Sequence, residues 1–94
     1  MVMRKQLSGE LIGLDPQTRF VRVRFRKWWE TGRSTEATAT FELDPYALVT
    51  SAYRGTLRLS QLNPGQRVTL TYIPGEKGYP LAKALTVSVS KIHT

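Results

Sequence analysis

Arg19-Phe20-Val21-Arg22-Val23-Arg24-Phe25-Arg26-Lys27-Trp28-Trp29 alternates between two kinds of side chain with a period of two. Successive residues of a strand point to opposite faces, so the stretch predicts a β-strand with one dry side. Val21, Val23, Phe25 and, at its end, Trp29 fall on the side that should meet a core. Phe20, Arg22, Arg24, Arg26 and Trp28 fall on the other.

The same period continues on both sides of this strand. Glu30 to Ser34, centred on Gly32, reads as a hairpin loop. The strand after it, 35–43, sets Ala37, Ala39, Phe41 and Leu43 against Glu36, Thr38, Thr40 and Glu42. Pairing about Gly32 would put Arg22 opposite Glu42 and Trp28 opposite Glu36; a shift of two residues still leaves a Glu beside an Arg. Upstream, Asp15-Pro16-Gln17-Thr18 is a turn. Ahead of that turn, Leu7 to Leu14 is β-prone, and Gly9 and Gly13 predict a bulged first strand. Downstream, helix and strand signals compete over 44–55. Asp44-Pro45 resembles a helix start, whereas Leu48-Val49-Thr50 favours a short strand at 47–51, which is the reading adopted. Leu59 to Leu62 predicts one helical turn, stopped by Asn63-Pro64-Gly65. Val68, Leu70 and Tyr72 alternate in a fourth strand, and Leu85, Val87 and Val89 in a fifth. The expected fold is all-β: one domain over residues 1–94, a small five-stranded OB-like barrel with one short helical turn.

These motifs, in this order, resemble the CusF-type OB barrels, a family of periplasmic copper and silver carriers. The resemblance rests on Gly9-Glu10-Leu11-Ile12-Gly13-Leu14-Asp15, Phe20-Val21-Arg22-Val23, Ala37-Thr38-Ala39-Thr40-Phe41 and Leu62-Asn63-Pro64-Gly65-Gln66-Arg67-Val68. It implies the barrel. In the family a Met-Thr-Met-x-Phe segment and a nearby His supply the metal donors. Here Ala37 and Ala39 occupy the Met positions, and the lone His93 stands next to the C-terminus. Alanine has no donor atom, so no metal site and no cofactor are expected.

The chain has 94 residues and no Cys, which excludes a disulfide framework and thiolate metal sites. No stretch is long and apolar enough to span a membrane, and no membrane partner is expected. A cytoplasmic location is the default, with an exported form the alternative. Catalysis is not expected: His93 has no evident acid or base partner, Asp15 and Asp44 each precede a Pro in a turn, and the five Glu show no acid/base or metal spacing. Fourteen Lys and Arg stand against seven Asp and Glu, and nine of the fourteen are Arg. That balance suggests an anionic partner.

A strand face of guanidinium groups flanked by rings is a pattern for single-stranded nucleic acid, with charges along the phosphates and rings stacked on bases. The candidate site is therefore Phe20, Arg22, Arg24, Arg26, Lys27, Trp28 and Arg33, for single-stranded DNA or RNA. The alternative is a protein interaction or assembly module for an acidic partner. Against both stands the structural reading, in which Glu36 and Glu42 neutralise the Arg row as ordinary cross-strand pairs. Tyr46 and Tyr53 are candidate barrel caps, Tyr79 is a loop ring, and Arg54, Arg58 and Arg67 could extend the basic surface.

Overall fold

The computed structural model describes residues 4–51, 55–76 and 78–88. Tyr53, Arg54, Val89 and His93 lie outside the described residues. The strands are β1 (Lys5–Asp15), β2 (Phe20–Trp28), β3 (Ser34–Ser51), β4 (Gly55–Thr56), β5 (Arg67–Ile73) and β6 (Leu81–Val87), with one 3₁₀ turn at Leu59–Gln61. β1 pairs antiparallel with β2 and with β5, and β2 pairs with β3. β5 pairs with β6, and β6 runs parallel to β3. The ring β1–β2–β3–β6–β5 is thereby closed by five strands, as the alternation predicts. β4 adds two residues beside the end of β3.

Alternation decides what fills the ring. Leu11, Val21, Val23, Phe41, Leu43, Val68, Leu70, Ala82 and Leu85 are fully buried. Leu59 and Leu62, which bracket the 3₁₀ turn, join the same core. Phe41 meets Tyr72 edge to face, with ring centroids 5.1 Å apart. The bulge expected in the first strand is present, because the β1–β2 register slips between Leu11 and Gly13.

At Asp15 the carboxylate accepts a hydrogen bond from the Gln17 amide at 2.9 Å, as an Asx turn does. Arg19 ends that turn with φ at +62°. This is a costly conformation for a residue that carries a Cβ. It is held from two directions. The Arg19 amide donates to the Asp15 carbonyl at 2.7 Å, and the guanidinium donates to the Leu43 and Asp44 carbonyls at 3.4 and 3.0 Å.

Over 44–51 the strand wins. β3 runs without interruption through Pro45, and its register against β6 shifts between Leu43 and Leu48. Asp44 does act as a cap, but for a bend in a strand: its Oδ1 accepts the Tyr46 amide at 2.7 Å. Tyr46 does not cap the barrel. It is 96% exposed.

Two sequence expectations for the β2–β3 hairpin are corrected. The pairing is offset by two residues: Phe20 faces Glu42, Arg22 faces Thr40, Arg26 faces Glu36 and Trp28 faces Ser34. The loop is centred on Thr31, and Gly32 takes the left-handed position after it, with φ at +84°. Trp29 is not a core residue. β2 ends at Trp28, so Trp29 follows the loop and stays half-exposed.

Candidate functional site

β2 carries the expected cationic face, and its neighbours set what each side chain does. Arg24 pairs across β1 with Glu10, the guanidinium donating to the carboxylate at 2.9 Å. That contact, with the more distant Glu36, holds the Arg24 pKa above its ordinary value. Arg26 donates to the Ser34 hydroxyl at 2.9 Å and stands opposite Glu36. Ser8, Glu10, Arg24, Arg26, Glu36 and Arg67 line a shallow groove of about 160 Å³, in which the charges nearly balance. Phe20 lies at the other end of the strand, with its ring edge on Tyr79 at 5.1 Å. Beside it, Arg22 borders a small depression with Leu14 and Thr40.

The far end of the hairpin is different. Trp28 is 68% and Trp29 49% exposed. Lys27 places its ammonium 4.6 Å from the centre of the Trp29 ring, within cation–π range. The Trp29 indole N–H donates to the Thr35 hydroxyl at 3.2 Å, whereas among the described residues the Trp28 indole makes no hydrogen bond. The loop is closed by the Trp29 amide on the Arg33 carbonyl at 2.8 Å and the Gly32 amide on the Trp29 carbonyl at 2.9 Å. Lys27 and Arg33 are exposed there. Sequence reasoning missed Trp29 as a surface residue because strict alternation was carried past the end of the strand.

The inward positions of this hairpin offer a soft metal ion no donor. Ala39 pairs with Val23 and Ala37 with Phe25, on the inward side of the hairpin. None of the four has a donor atom for a soft ion. Among the described residues no three of His, Cys, Asp and Glu cluster to hold a metal.

No protein-family model matches the sequence, and no curated protein matches it significantly. Solved structures do match. Apo-CusF from Escherichia coli superposes with a TM-score of 0.66 at 15% identity, over 95% of this chain and 92% of that one. CusF with Ag(I) gives 0.63 at 14%, over 92% and 99%. A tryptophan-to-alanine variant of Escherichia coli CusF with Cu(II) gives 0.62 at 14%, over 92% of each chain. Identity this low establishes the barrel, and it supports the CusF-type resemblance at the level of fold.

These neighbours overturn part of the functional expectation. All three are CusF, two of them with a metal ion, and none is a nucleic-acid binder. Single-stranded DNA or RNA is therefore withdrawn as the partner and nucleic-acid binding as the role. The geometry gives the reason. A single strand needs a track of open rings and unengaged cations, but Phe20 is spent on Tyr79 and Arg24 on Glu10. The acidic protein partner is only weakly compatible with the same neighbours. The cytoplasmic location gains no support from them, whereas an exported chain is compatible.

Proposed function

We propose that this chain is a non-catalytic binding barrel whose contact surface is the distal half of the β2–β3 hairpin. The surface comprises Arg26, Lys27, Trp28 and Arg33, with Trp29 added; Phe20, Arg22 and the Glu10-paired Arg24 mark its proximal limit. One observation carries the reading: on a barrel with a completed core, the hairpin end leaves two adjacent indoles exposed among cations. Burying such rings is the ordinary way to stabilise a small domain, so their exposure points to a partner that covers them. The inward Ala37 and Ala39 argue that this barrel does not carry copper or silver in the manner of its structural neighbours.

A charge-matched comparison tests the surface without knowledge of the partner. Retention on a negatively charged resin at neutral pH is measured for Arg26→Gln/Lys27→Gln and for Arg58→Gln/Arg67→Gln, which remove equal charge. The hairpin pair should elute at clearly lower salt. Equal elution of the two variants would refute the hairpin as the contact surface. Stoichiometric binding of Ag(I) by the parent chain would refute the reading that this barrel does not carry copper or silver.

A further inference from the structure

Trp28 and Trp29 sit exposed at the loop end of the β2–β3 hairpin. The loop between the strands is short and its backbone is tied by hydrogen bonds within Trp29–Arg33. Trp29 is fixed further by Thr35 and by the ammonium of Lys27. The cations around the rings come from two elements. Arg26 and Lys27 end β2, Arg33 precedes β3, and all three are exposed. Among the described residues of the hairpin end, Glu30 and Glu36 are the acidic neighbours of these cations.

An indole pair beside lysine and arginine matches the chemistry of a membrane–water interface. Trp places its apolar body in the outer acyl region and its N–H at headgroup level, and cations gather on anionic headgroups. In the groove beside the tip Glu10 and Glu36 offset two of the three arginines, which leaves a rigid acidic partner little net attraction. The described residues contain no helix that could cross a membrane, so the contact would be peripheral.

We propose that the Trp28–Trp29 tip docks this barrel onto the surface of an anionic lipid bilayer. The inference rests on the hairpin being the contact surface, and it names the occupant.

The test uses vesicles of phosphatidylcholine with and without phosphatidylglycerol, read by co-sedimentation and by indole emission. The parent chain should sediment with the anionic vesicles, with a blue shift in emission, and weaken as salt shortens the screening length from about 10 Å at 0.1 M toward 3 Å at 1 M. Trp28→Ser/Trp29→Ser should lower partitioning by about tenfold or more while keeping the β-sheet circular dichroism spectrum. Should the double variant misfold, Trp28→Ser alone serves, because that ring makes no hydrogen bond among the described residues. Arg26→Gln/Lys27→Gln should retain the blue shift at high lipid and lose most of the salt dependence. No sedimentation of the parent chain, or equal sedimentation of parent and Trp variants, would overturn the proposal. If vesicles fail while the hairpin charges still govern retention on the resin, the lipid surface falls and the hairpin site stands.

Discussion

Gly9 has no room for a methyl group. A Cβ there would run into the Arg24 carbonyl oxygen and lie 2.7 Å from Val23 Cγ1, where β1 passes closest to β2. Gly9→Ala should therefore cost about 1–3 kcal/mol, from overpacking against backbone that cannot yield, measured as a lower midpoint in urea. Phe41→Ala should cost more, about 3–5 kcal/mol, because it empties a fully buried position and strips Tyr72 of its ring partner. Asp44 acts through charge. It is mostly buried, and Lys83 Nζ donates to its Oδ2 at 2.6 Å while the Tyr46 amide donates to Oδ1. The Lys83 hydrogen bond first, and the Tyr46 amide second, hold its pKa below the ordinary value. A lowered folded pKa means stability that is present above the unfolded value and lost as pH falls through the folded one. The parent should thus lose melting temperature below about pH 4. Asp44→Asn should melt lower at pH 7 and show a flatter acid limb. The capping role of Asp44 was legible in the Asp-Pro pair. Lys83 was not, because it lies 39 residues away and meets Asp44 only through the parallel β3–β6 pairing.

The hairpin shows what patterning can and cannot specify in an element. Parity was readable: Val21, Val23 and Phe41 are buried and Arg22, Arg24 and Arg26 are not, because a one-residue slip would expose every apolar side chain. A two-residue offset costs nothing in parity, so only the loop can fix it. The loop was misjudged because Gly32 was taken as its centre, whereas glycine serves the left-handed position one step later. Parity alone also places Ala37 and Ala39 inward, and this gives a prediction by gain. Ala37→Met/Ala39→Met should bind Ag(I) more tightly than the parent, read by mass spectrometry or by indole quenching. If the double variant folds and gains no Ag(I) affinity, this hairpin differs from that of its structural neighbours in more than two side chains. The exposure of the cations and of Trp28 was legible in the alternation, but the pairing of Arg24 with Glu10 was not. Glu10 reaches Arg24 from β1, after a bulge whose exact residue leaves no mark on the alternation.

At the scale of the molecule, the closed ring was foreseeable from strand count and turn spacing, since five short strands with no helices to cover them must hide their edges. The order of the ring was not, because the parallel pairing of β3 with β6 depends on a bend inside a strand that the sequence marks as a possible helix start. Circular dichroism should nonetheless be β-dominated, and a helix-rich spectrum would refute the architecture. The ring order also has a consequence for a chain being made. β1 pairs on one side with β2, which follows it at once, and on the other with β5, which begins only at Arg67. At roughly 5–20 residues per second, a ribosome leaves that second side of β1 open for seconds. Meanwhile β1, β2 and β3 can form a meander with two unpaired borders, β3 where β6 later joins and the start of β1, the latter with exposed Lys5, Gln6 and Ser8 and the half-buried Glu10 beyond. A charged, polar border is a poor template for strand addition. The polarity at the beginning of β1 thus gives nascent copies on one messenger a barrier against zipping together before β5 emerges to complete each barrel.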